Sequence, residues 1–237
     1  MVEGLKQQEE ALEQANETLA HDKALLARFF SGDVLSRILA GGASQTREAV
    51  GNAAILQVRV NRIQGLWHRI GHQAYASFLN DLLTDLMDLV YGRGGSVNKI
   101  LGDTLLISFG APLAQEDDLE KAVLLAQDIL EYRRTFNDGK PDWLPLDLVF
   151  SVGLGWGEVF SGTLGSVHRL EYTLVGSAVT RAALLQQTAE KAGIGLLIDD
   201  PVRAACGLRF PFIPAVAPVP RGADRKGPNL SGLWTLA

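Results

Sequence analysis

The sequence contains a single cysteine, Cys206, among 237 residues, so an intrachain disulfide and a CxxC metal knuckle are both excluded. One thiol fits a reducing compartment, and its expected place is in a core. Basic clusters are missing too: 22 Lys and Arg face 27 Asp and Glu, a formal net charge of -5. A general nucleic-acid binder needs a concentrated basic surface to neutralise phosphates. That class is excluded, while small nucleotides are not. No run approaches the roughly 18 apolar residues of a membrane span. The opening MVEGLKQQEEALEQANETLA also lacks the basic-then-apolar order of a signal peptide. The expected setting is cytoplasmic, as a free protein or as the cytoplasmic end of a membrane-bound receptor. Histidine is scarce, and only His68 and His72 are close, at the i, i+4 spacing of a helix. With no H-E-x-x-H, a surface or capping role is expected for them.

What is present is enough apolar residue, 47% of the chain, to bury one main core with an appended helix. Leu5, Leu12, Leu19 and Leu26 recur every seven residues, the spacing that keeps one helical seam turned toward a partner. Residues 3–30 are expected to form a parallel coiled coil, or else a lone helix packed on its own domain. With leucine at d, the a positions hold Val2, Glu9, Asn16 and Lys23, a polar set that fixes register and lowers stability. Asp33–Leu39 is a short amphipathic piece with Asp33 as N-cap, and Gly41–Gly51 is a polar linker. The boundaries expected are a coiled-coil helix over 1–30, a connecting element and linker over 31–51, and a globular domain over 52–237.

In that domain Ile55–Ile63 alternates, with Leu56, Val58 and Val60 opposite Gln57, Arg59 and Asn61, as a half-buried strand does. Tyr75–Tyr91 and Leu119–Phe136 carry apolar residues at helical spacing. Ser96–Ile100 and Thr104–Phe109 are strands joined at Leu101-Gly102-Asp103, a hairpin. Leu146–Leu154 and Glu158–Thr163 are expected as two further strands and Ala178–Ala192 as a third long helix. Gly195–Ile198 and Leu233–Leu236 close the domain after a Pro-rich surface loop. The order β-α-β-β-α-β is that of an α+β, ferredoxin-like sandwich. Its helices should pack on one sheet face and leave the other for a second copy. Gly153, Gly155 and Gly157 lack both the GxGxxG spacing and a P-loop Lys, and read as a close-packed strand turn.

Four stretches, in order, carry a family resemblance. Gly94-Gly95-Ser96-Val97-Asn98-Lys99-Ile100-Leu101-Gly102-Asp103 with Phe109-Gly110-Ala111-Pro112 resembles the central hairpin of class III adenylyl and guanylyl cyclases. Gly153–Val159 with Gly162–Ser166 is similar to the family's glycine-punctuated strand pair. Leu170–Gly176 resembles the strand before its last catalytic helix, and Arg28 through Leu39 resembles the transducing element of bacterial members. The resemblance spans about residues 25–237 and implies a head-to-tail dimer with the substrate triphosphate between chains. It further implies two aspartates holding two Mg²⁺, and a Lys, an Asp or Thr, an Asn and an Arg supplied by the other chain.

Carried over residue by residue, Asp103 occupies the hairpin metal position, though Gly-Asp is also a common turn pair. Lys99 and Thr173 stand at the base-reading positions in the ATP-type pattern, and both are ordinary strand residues as well. The first metal aspartate is replaced by Arg59 or Arg62, depending on register, and a guanidinium cannot bind Mg²⁺. It could instead pair with Asp103 or meet a phosphate. Thr180 stands at the Asn position and Leu184 at the Arg position, with Arg181 one helical turn from rescuing it. The expectation is a degenerate, dimeric relay module. The alternatives are an adenylyl cyclase with a rearranged site, one half of a heterodimer with another cyclase domain, and a sensor of ATP or another nucleotide. Mg²⁺ or Mn²⁺ belongs only to an active form.

Overall fold

Alternation along the first strand sets the architecture. A computed structural model of the chain describes residues 12–14, 16–20, 48–111, 114–166, 169–217 and 232–236. It divides into two units, Met1–Thr46 and Arg47–Ala237. In the first unit, residues 12–14 and 16–20 are helical, with Leu12 and Leu19 exposed. The rest of the expected coiled coil, and the amphipathic piece with most of the linker, lie outside the described residues.

In the second unit the elements run β1 Ala49–Asn61, α1 Trp67–Ile70, α2 His72–Gly92, β2 Ser96–Leu101, β3 Thr104–Phe109 and α3 Asp118–Asp138. They continue as β4 Val149–Ser166, β5 Arg169–Gly176, α4 Ser177–Ala192, β6 Leu196–Asp199, α5 Asp200–Cys206, β7 Phe212–Pro214 and β8 Leu233–Leu236. The strands form one mixed sheet in the order β2-β3-β1-β4-β6-β8-β7, with β5 pairing β4. Its first four neighbours are antiparallel, as the split βαβ order requires, and β6 adds in parallel to β4.

Ala54, Leu56, Val58 and Val60 of β1 bury themselves among Phe78, Leu82, Leu86 and Val90 of α2 and Leu119, Val123, Ala126 and Ile129 of α3. The apolar stripes of these two helices thus cover one face of the sheet. The expectation that helices occupy that face alone is corrected. Ala53 and Ile55, pointing the other way from β1, pack against Ala178 and Ala182 of α4, so the last long helix covers the opposite face.

Glycine explains how α4 gets so close. A Cβ on Gly153 would lie 2.1 Å from the Ala182 carbonyl oxygen and 2.3 Å from the Gln186 nitrogen, and one on Gly155 would lie 2.4 Å from the Ala178 oxygen. These glycines therefore serve helix packing within a continuous strand. The turn expected there does not form, and the two strands expected over Leu146–Thr163 are the single β4. Val149–Ser161 pair with β1, Val152–Leu154 with β6, and Val159–Ser166 with β5. β1 itself begins three residues before the expected domain start.

Candidate functional site

The residues carried by β1, the β2–β3 hairpin and α4 meet on the α4 side of the sheet. Arg59 is paired in register with Thr104, and the Val60 N–H donates to the Asp103 carbonyl at 2.8 Å. This places the Arg59 side chain beside the Asp103 carboxylate. Arg59 Nε and Nη2 each lie 3.3 Å from Asp103 Oδ2, and Nη1 donates to Glu190 Oε2 of α4 at 3.0 Å. One guanidinium therefore bridges two carboxylates. Gln64 Nε2 donates to the same Asp103 oxygen at 3.0 Å, and Thr104 Oγ1 donates to Oδ1 at 3.0 Å. The Asp103 side chain is only 12% exposed, and protein donors occupy both of its oxygens.

Of the two registers left open by the sequence, Arg59 is the residue facing Asp103. Arg62 is exposed at the end of β1 with φ 65°, a left-handed conformation uncommon for a residue with a Cβ. The chain turns out of the strand there and Gln64 reaches back to the hairpin. The network continues inward: Gln186 Nε2 donates to Glu190 Oε2 at 3.3 Å and to Ser151 Oγ at 2.7 Å. Ser151 Oγ donates in turn to Asn61 Oδ1 at 3.0 Å, so these buried polar groups are satisfied.

These side chains do not fit a pair of divalent cations. A two-metal site needs several carboxylate oxygens converging with lone pairs free for the cations. Here the Asp103 carboxylate accepts from Arg59, Gln64 and Thr104, and the guanidinium beside it cannot ligate a cation. Among the described residues no group of three or more His, Cys, Asp and Glu is arranged to hold a metal. His68 and His72 instead flank the Trp67 ring, with centroids 3.4 and 4.6 Å away.

Lys99 and Thr173 belong to a separate cluster. Lys99 follows an irregularity in β2, and its Nζ lies 2.9 Å from Glu171 Oε1. Thr173 Oγ1 donates to the Glu171 carbonyl at 3.4 Å. The two proposed base-reading residues thus share Glu171 of β5 as neighbour, a partner no spacing in the sequence announces.

On α4, Thr180 is exposed and its hydroxyl donates back to the Gly176 carbonyl at 3.4 Å. Leu184, one turn on, is half-buried. Arg181 is paired away from Leu184: its Nε donates to Asp199 Oδ2 at 2.6 Å, with the Asp199 side chain fully buried. Burial raises the Asp199 carboxyl above its ordinary value, and Arg181 pulls it back. Arg181 is therefore committed to neutralising an interior charge. Glu190, Gln186 and Asp199 were not anticipated as partners, since the packing of α4 and β6 brings them to Arg59, Ser151 and Arg181.

Comparisons with known proteins agree on this architecture. The family model described as the adenylate and guanylate cyclase catalytic domain matches residues 46–197. An uncharacterized protein of Mycobacterium tuberculosis, Rv1320c, is 31% identical over 122 residues, 52% of this chain and 20% of that protein. The matched region thus spans about a fifth of the length of such relatives. A bacterial light-regulated adenylyl cyclase superposes with TM-score 0.79 at 19% identity, covering 96% of this chain and 64% of that one. The catalytic core of a rhodopsin-guanylyl cyclase with converted specificity, in complex with ATPalphaS, gives TM-score 0.67 at 22% identity, covering 81% and 100%. A non-canonical dimeric guanylyl cyclase domain from the aquatic fungus Blastocladiella emersonii gives 0.61 at 21%, covering 71% and 90%.

Proposed function

Because the chain belongs to the adenylate and guanylate cyclase catalytic domain family, we propose that it is a catalytically degenerate member. In this reading it is a cyclase homology domain that relays a signal as a dimer. The observation that carries the proposal is the Arg59 guanidinium lying between Asp103 and Glu190. A cation fixed by two carboxylates occupies the region where the family's chemistry calls for metal-binding oxygens. The other half of the family's composite site is altered as well. Thr180 and Leu184 offer no charge, and Arg181 is held by Asp199. Losing a single preorganised charge-stabilising donor typically slows such chemistry by about 10²–10³-fold. Here both halves are affected, so two copies of this chain would not complement one another.

Dimerisation is supported by apolar residues left exposed at the hairpin tip, Ile100 and Leu101, and on the β4–β5 arm, Leu164 and Val175. No helix among the described residues is long and apolar enough to cross a membrane. We place the domain on the cytoplasmic side, responding to an element upstream of it. A second reading, nucleotide binding without turnover, draws on Lys99 and Thr173 being gathered around Glu171.

The deciding experiment incubates the purified chain with ATP or GTP and Mg²⁺ or Mn²⁺, alone and mixed with another cyclase domain, alongside calorimetric titration of each nucleotide. No cyclic nucleotide is expected from the chain alone, and none on mixing beyond what the other domain makes by itself. Cyclic AMP or cyclic GMP formation that disappears in Asp103→Ala would overturn the proposal in favour of a working, rearranged cyclase. Formation only on mixing would make the chain one half of a heterodimer.

A further inference from the structure

Beside the core, α2, the later turns of α3 and the loop after α3 line a solvent-open pocket of about 360 Å³. Four aromatic rings, Phe78, Tyr132, Phe136 and Trp143, and two carboxylates, Asp81 and Asp85, contribute to its lining. The rings meet at angles. Trp143 stands edge-on to Phe78 with centroids 6.0 Å apart, and Phe136 is tilted against Phe78 at 6.4 Å and against Tyr132 at 6.0 Å. Aromatic rings carry negative potential on their faces, and four of them line this pocket.

The carboxylates reinforce that potential. Asp81 and Asp85 sit one turn apart on the same side of α2, and Tyr132 Oη donates to Asp85 Oδ2 at 2.7 Å. Burial foremost, then the bond to Asp85 and its charge, pushes the Tyr132 phenol well above its ordinary range, so it stays a neutral donor that steadies Asp85. Among the described residues, no Lys, Arg or His lines the pocket, and Arg134 and Lys140 close by in sequence are already paired with Glu131 and Asp147. Trp143 remains 52% exposed at the edge. Aromatic faces beside carboxylates form a recognition surface for cations that also carry apolar bulk, and the volume lies at the small end of ligand pockets.

We propose that this pocket binds a small organic cation, an ammonium group on an apolar body, with the four rings taking the body and Asp81 and Asp85 its charge. The site lies on different elements from the Arg59 cluster and stands whether or not the domain turns over nucleotide.

Phenyltrimethylammonium is a suitable probe. Calorimetric titration into the full chain is expected to show saturable single-site binding, at least about tenfold tighter than binding of its uncharged analogue tert-butylbenzene. Asp81→Asn with Asp85→Asn, and separately Trp143→Ala, should each weaken the probe by a similar factor. The melting temperature without probe checks that each variant is folded, and the largely exposed Trp143 provides the variant best placed to remain so. Absence of saturable binding in the millimolar range, equal affinity for the uncharged analogue, or affinity untouched by the substitutions in folded protein would each overturn the proposal.

Discussion

Arg59 holds Asp103 through Nε and Nη2, both at 3.3 Å, while Nη1 of the same guanidinium reaches Glu190 at 3.0 Å. β1, the β2–β3 hairpin and α4 are thereby joined by one side chain. Under the proposed function, this guanidinium supplies positive charge that other members of the family would take from metal ions.

Replacing that charge tests the idea directly. Arg59→Asp puts a carboxylate opposite Asp103 and removes the bridge to Glu190. The metal-free variant should lose about 3 kcal/mol, since Asp103, largely buried, would face a second carboxylate in place of its cation. Mn²⁺ should then restore stability, by about 2.7 kcal/mol at a hundredfold excess over its dissociation constant. Thermal melts with and without Mn²⁺ read both effects. Equal Mn²⁺ stabilisation of the unsubstituted protein would show that Arg59 does not displace a metal.

The seating of α4 makes a second prediction. Gly153→Ala places a Cβ 2.1 Å from one backbone oxygen and 2.3 Å from a backbone nitrogen, and neither can rotate away. The cost should reach about 3 kcal/mol or more. Gly51→Ala, with nothing within 4 Å of the new Cβ, should stay within about 0.5 kcal/mol. Urea unfolding of the two variants provides the comparison, and similar midpoints would contradict the packing described.

Arg181 and Asp199 give a pH-dependent prediction. Arg181→Met leaves a buried carboxylate without its cation, which typically costs about 3–5 kcal/mol. The sign follows from linkage. Asp199 is raised in the folded protein from an ordinary value of 3.8, chiefly by burial, so its contribution is most favourable below that value and declines as pH rises through the folded one. Removing Arg181 raises the folded value further. The stability gap between variant and unsubstituted protein should therefore be wider at neutral pH than in mild acid. A gap that narrows on going from acid to neutral would be inconsistent with an ionised, Arg-compensated Asp199.

Much of the fold is legible in the sequence because period and turn chemistry agree locally. The hairpin strands are found within one residue of the expected Ser96–Ile100 and Thr104–Phe109, with Asp103 at their turn. Tyr75–Tyr91 lies within α2. The placement of α4 on the second sheet face was missed, because the relevant signal is an absence of side chains. Gly153 and Gly155 resemble turn residues until the small Ala178 and Ala182 are set against them. At the candidate site, Asp103 and an arginine able to pair with it were readable. The choice between Arg59 and Arg62 was not, since it depends on strand register. Glu190 could not be inferred, being 131 positions from Arg59 and joined to it only by the packing of α4.

The bare contact between α4 and β4 has a mechanical consequence. Where helix and strand are separated by interdigitating side chains, rotamer changes let one slide over the other. At Gly153 and Gly155 that cushion is missing, and the helix backbone rests on the strand backbone. Helix and strand must then travel as one plate. Any push that tilts β4 swings Thr180, Leu184 and Glu190 through the same angle, and the Arg59 bridge is the tether against which that plate would pull.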